Sequence, residues 1–201
     1  MQGSPSILRI IITVLGSPIV GCQALLFNGF SVAKAMLLLI LGYLFMASFA
    51  MAIVSQMYAL SAKTILFTAK IGLVGLLFVL MVGLLTYLVT KVFAEVNISR
   101  IMQVAGLCSI ITMVLAVFLL ILLLVFKISL LQTFVDGPIV FTIPVVLLCL
   151  LMAYSLLHIS NVVKQSFAAS GLHPTMIWYL SPLVLAGSMF ITHSVTSVII
   201  S

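Results

Sequence analysis

Two histidines, His158 and His193, stand in long stretches of the chain that hold no Asp, Glu, Lys or Arg. They carry the most direct chemical possibility in the sequence, because an imidazole in apolar surroundings can bind a metal, bind haem or move a proton. Ligation needs companions, and a structural metal site takes about four ligands. Cys22, Cys108 and Cys149 are widely separated and form no CxxC spacing, so they read as small apolar residues, and neither a metal nor another cofactor is expected. His158 has Ser160 and Asn161 beside it, near the end of its apolar stretch, where an interfacial role is sufficient. Gln56 is the remaining polar side chain deep in such a stretch. The two acids have plain readings. Asp136 precedes Gly137 and Pro138, where a carboxylate can cap a helix, and Glu95 is four residues from Lys91, a spacing that suits a solvated ion pair. No nucleophile is spaced with a base, so no enzymatic role is expected.

The elements that must position these residues follow from the scarcity of charge. The 201 residues are 65% hydrophobic and 5% charged, with a mean hydropathy of +1.52, against about 25% charge in soluble domains. A membrane-crossing helix needs about 20 apolar residues, and the charges leave uncharged blocks of 28 residues after Lys34, 20 after Lys70, 26 after Arg100 and 27 after Asp136. A fifth block follows Lys164. Barrel strands would alternate apolar and polar residues, whereas Val114 to Phe126 is apolar on every face. The expected fold is an all-α polytopic transmembrane helix bundle, a single membrane domain over residues 1–201 with spans at about 35–62, 71–91, 101–126, 138–163 and 176–199.

Residues 10–33 are also uncharged but are interrupted by Gly16, Pro18, Gly21, Gln23, Asn28 and Gly29. Proline costs a helix interior roughly 3 kcal/mol. This segment reads as interfacial or re-entrant, with a sixth span as the alternative. Ile19 to Cys22 approximates a lipoprotein cleavage box, but Pro18 shortens the apolar stretch before it, which argues against lipidation.

Orientation follows from Lys and Arg at alternate helix ends. With five spans, one side collects Arg9, Lys34, Lys91, Arg100 and Lys164, and the other Lys63, Lys70 and Lys127. This predicts a multi-pass protein with a cytoplasmic N-terminus and an outward C-terminus; six spans would divide the charges evenly. The net charge of +6 is spread singly over helix ends and not gathered in a patch, so lipid bilayer is the expected partner and nucleic acid is not.

Small and polar residues mark expected helix contacts. Gly72, Gly75 and Gly83 lie on the second span, with Gly75 and Gly83 on one face, and Ser181, Ser188, Thr192 and Thr196 form a stripe on the fifth. Pro144 and Pro182 fall inside the fourth and fifth spans, where each removes a backbone hydrogen bond and could act as a hinge.

The stretch Leu85 to Leu122, LTYLVTKVFAEVNISRIMQVAGLCSIITMVLAVFLLIL, sets a span, a short basic loop and a second span opening on small residues. With five spans and short loops it resembles the Yip1-type family of small five-span membrane proteins over roughly Lys34 to Ile191. This chain has Gly106, Leu107 and Cys108 where that family often has Tyr and Pro. The resemblance implies a role in membrane organisation, trafficking or support of a transport complex, without catalytic residues. Two functional expectations follow. The first is a non-enzymatic membrane subunit or scaffold that packs against membrane-protein partners or against itself. The alternative is a permease or channel subunit for an uncharged or lipid-like substrate, with Gln56, His158 and His193 facing a cleft between the fourth and fifth spans.

Overall fold

The computed structural model describes residues 6–28, 31–57, 62–126 and 138–200, and within them every regular element is a helix. They are α1 (Ile7–Gly16), α2 (Pro18–Asn28), α3 (Val32–Met57), α4 (Ala62–Phe93), α5 (Ser99–Phe126), α6 (Pro138–Ala169) and α7 (Pro174–Ile200). Four stretches among the described residues are long and apolar enough to cross a membrane: Val32–Ala52, Ile65–Phe93, Ser99–Phe118 and Pro174–Ser197. The all-helical fold agrees with the sequence pattern.

The first two helices are short. At about 1.5 Å per residue each covers roughly 15 Å. The Ser6 hydroxyl caps α1 by accepting from the Arg9 N–H at 3.3 Å. Helical geometry is lost at Ser17 (φ −146°, ψ 76°), and Pro18, which needs no hydrogen-bond partner for its nitrogen, opens α2. The chain then folds back so sharply that a Cβ on Gly21 would sit 2.6 Å from the Thr13 carbonyl oxygen. Only glycine permits that approach.

At the centre of the bundle α3 and α5 run parallel, with α4 antiparallel to both. The close contacts set this direction: Gly106 faces Ala35, and Gly42 faces Ser109 and Thr112. A Cβ on Gly106 would come within 2.9 Å of the Ala35 Cα, so the two backbones touch. The α7 helix packs against α4, α6 packs against α5 and α7, and α2 lies on α6. Val104, Leu107, Ile110, Ile111, Val162 and Phe167 are buried in one apolar core joined by Ile10, Val14, Cys22 and Leu26 of the N-terminal pair. Leu150, Leu157, Tyr179, Leu183 and Phe190 point outward and are exposed.

Several helix ends differ from the expected spans. The α4 helix starts at Ala62, so Lys63 and Lys70 lie within it instead of before it. Lys164 lies inside α6, which ends in a Schellman motif: Gly171 has φ 77°, its N–H donates to the Ala168 carbonyl at 3.0 Å, and the Leu172 N–H donates to the Phe167 carbonyl at 3.2 Å. The connection to α7 is thus a tight corner, sealed by the Lys164 ammonium 4.2 Å from the centroid of the Trp178 ring. Lys127 and Asp136 fall outside the described residues.

Candidate functional site

His158 is buried in the bundle, 2% exposed, with Nε2 3.5 Å from the Leu107 carbonyl oxygen on α5 and Nδ1 without a hydrogen-bond partner. The helix that carries it continues to Ala169. Asn161 is half-buried one turn further along α6. His193 is exposed on α7, whereas His158 faces Leu107 of α5, so the two imidazoles look onto different surroundings. The Gln56 side chain lies outside the described residues, as do the surroundings of Pro144. Pro182 sits inside α7 next to the fully buried Ser181, whose hydroxyl donates to the Ile177 carbonyl at 2.6 Å.

Glu95 makes no ion pair with Lys91. The α4 helix stops at Phe93, which destroys the spacing such a pair requires, and the Lys91 ammonium instead lies 5.7 Å from the centroid of the Tyr87 ring. Glu95 borders an open polar cleft of about 390 Å³ with Asn97, Arg100, Gln103 and the end of α2. Here the Arg100 guanidinium donates to the Leu26 carbonyl at 2.8 Å, the cation favoured at a helix C-terminus. Among the described residues no group of three His, Cys, Asp or Glu side chains could hold a metal ion.

The glycines divide between neighbours. Gly72 is packed tightly against Tyr43 and Ala47 of α3, and Gly83 against the Ile101 carbonyl and Ala105 of α5. Gly75, expected to share a packing face with Gly83, meets nothing closer than the Met46 Cγ at 4.0 Å. Gly42 and Gly106, where α3 and α5 approach closely, were not foreseen as contacts; Gly42 stands alone in an apolar run, and the small residues around Gly106 do not say which helix they meet.

Beside Gly75 a cavity of about 770 Å³ opens between α3, α4 and α7. Met46, Ile71, Val74, Phe78 and Met189 form its apolar walls, and Thr192, His193, Thr196 and Ser197 its polar margin. This is not the expected cleft between the fourth and fifth spans, and of the expected polar residues it includes His193 alone among those described. The polar stripe behaves unevenly along α7. The Ser181 and Ser188 hydroxyls donate to carbonyls four residues back, at 2.6 and 2.7 Å, and the Thr196 hydroxyl donates to the Thr192 carbonyl. The Thr192 hydroxyl, in a residue only 6% exposed, has no partner.

Comparison with known proteins gives no match to a protein-family model, a curated protein or a solved structure.

Proposed function

We propose that the chain is a five-span integral membrane protein, with α3 to α7 crossing the bilayer and α1–α2 forming a re-entrant or interfacial hairpin, that serves as a non-enzymatic subunit or scaffold. Arg9, Lys34, Lys91, Arg100 and Lys164 would then face the cytoplasm, and α7 would end outside. The observation that carries the reading is how the chain spends its polar groups. In the core Thr86, Thr90, Ser109 and Ser188 bond their own helix carbonyls, which leaves them available to packing and not to a substrate. Outward, α6 and α7 present Leu150, Leu157, Trp178, Tyr179, Leu183 and Phe190, all more than half exposed. Such a surface suits lipid or the helices of another membrane protein equally well. A role in membrane organisation of the Yip1 type fits this economy of chemistry.

The test is purification of the full chain in native nanodiscs with the stoichiometry of everything that accompanies it. A defined membrane partner, or a defined homo-oligomer, supports the reading; a chain that runs alone as a monomer overturns it. The permease alternative draws on one observation, the exposed His193 at an apolar cavity; it predicts flux of an uncharged solute in proteoliposomes that His193→Ala abolishes.

A further inference from the structure

We infer that the polar cleft between α2, the 94–98 connection and the facing ends of α5 and α6 binds the zwitterionic headgroup of a membrane phospholipid, with the phosphate at Arg100 and a primary ammonium at Glu95. The inference rests on the five-span embedding proposed above and is independent of protein partners. The first observation is a cation without a counter-ion. Arg100 is half-buried, and among the described residues its guanidinium bonds the neutral Leu26 carbonyl and pairs with no carboxylate. A partly desolvated charge left in that state is costly, and the planar fork keeps further N–H donors for a phosphate. The second observation is charge of both signs in one cleft. Glu95 borders the same space of about 390 Å³, exposed and, among the described residues, also unpaired. A simple anion there meets repulsion from Glu95 and a simple cation meets it from Arg100, whereas a molecule that carries both charges answers each. Ser99, Gln103 and Ser170 complete the lining with neutral polar groups.

Position assigns the zwitterion to a lipid. The cleft opens at the end of the bundle where α4 gives way to α5, and at that end the Lys91 and Lys164 ammonium groups lie over the Tyr87 and Trp178 rings. Tyr and Trp are enriched at the headgroup level of a bilayer. An apolar track leads away from the cleft. Phe27 borders it, and Ala24 and Val20 continue on the same exposed face of α2, with Gln23 beside them, toward the break at Ser17. A phospholipid seated with its phosphate at Arg100 can lay an acyl chain along that face. The carboxylate then chooses among headgroups. An ethanolamine ammonium donates N–H bonds to Glu95, a choline has no N–H to donate, and a glycerol headgroup brings no positive charge.

The experiment equilibrates the full chain in mild detergent with equal amounts of dioleoyl-phosphatidylethanolamine, -phosphatidylcholine and -phosphatidylglycerol, and counts the retained lipids by native mass spectrometry. Retention of phosphatidylethanolamine about tenfold above the other two is expected, the equivalent of one hydrogen bond between charged groups. Glu95→Gln changes an exposed, unpaired side chain, so the fold should survive, and the preference should fall to the level of phosphatidylcholine. Arg100→Gln should lower retention of all three lipids. Equal retention of the three, a preference for phosphatidylglycerol, or a preference that survives Glu95→Gln overturns the site. Soluble phosphoethanolamine is the control for the source of the headgroup: binding as tight as that of the lipid overturns the lipid as ligand, and displacement only at far higher concentration supports it. Extraction of the cellular membranes with alkaline carbonate separates the two readings. A chain that stays in the membrane without a headgroup preference loses the site alone, and a chain that is washed off loses the embedding and the site together.

Discussion

Arg100 on α5 and Leu26 at the end of α2 are joined across 2.8 Å by a guanidinium-to-carbonyl hydrogen bond. The bond ties the N-terminal hairpin to the bundle at the level of the 94–98 connection, satisfying a carbonyl that α2 cannot satisfy itself. Arg100→Ala should loosen the hairpin by roughly 1.5–3 kcal/mol, the range for hydrogen bonds to charged groups. Hydrogen exchange over residues 18–28 should accelerate while exchange in α3 and α5 stays slow. Arg100→Lys should recover part of the protection, since a point charge lacks the planar fork of guanidinium.

Gly106→Ala and Gly75→Ala should separate cleanly in a thermal unfolding series. The first forces a methyl group to within 2.9 Å of the Ala35 backbone, the second places one in space 4.0 Å from Met46. Overpacking of a tight contact costs about 1–3 kcal/mol, so Gly106→Ala should melt well below the parent protein and Gly75→Ala close to it.

His158 offers a test between a structural and a chemical role. Its Nε2 contact to Leu107 is long, at 3.5 Å, and its Nδ1 has no partner. Replacing an incompletely satisfied buried polar group by an apolar one of similar size is nearly neutral or stabilising. His158→Leu should therefore leave the melting temperature unchanged or raised, and should not alter any copurifying partner. Loss of the partner with the fold intact would show that the imidazole has chemistry to do.

Lys164 and Trp178 provide a spectroscopic handle, because Trp178 is the single tryptophan of the chain. Its ring lies 4.2 Å from the Lys164 ammonium. Lys164→Met should alter the intrinsic fluorescence spectrum while leaving helix content unchanged by circular dichroism. The loss of stability should be about 0.5–1 kcal/mol, the value for exposed cation–π pairs.

The helices were legible in the sequence because a run such as Val114 to Phe126 has few other fates, and Pro18 correctly marked a break. Charge was a poor guide to where the helices end. Lys63, Lys70 and Lys164 lie inside helices, since a long side chain can reach a polar layer from a residue still in the helix. The burial of His158 was not legible, because it follows from the packing of α6 on α5. Contacts failed differently. Gly75 and Gly83 share a helical spacing but face different neighbours, and the pairing of Gly106 with Ala35 depends on which helices adjoin, which no local pattern records. The cavity beside Gly75 arises from three helices at once and left a trace only in the Ser188 to Thr196 stripe.

The contact of Gly106 with Ala35 joins positions about 70 residues apart, and this sets a timetable for assembly. At a ribosomal rate of about 5–20 residues per second, the seat for Gly106 on α3 waits roughly 4–14 s for its occupant. Throughout that interval α3 has only α4 for company, and the small-residue face that will close on α5 stays open to whatever else is inserting nearby. A nascent chain arrested before residue 106 should therefore be the form most readily held by an insertase or an assembly chaperone, and release should coincide with the emergence of α5.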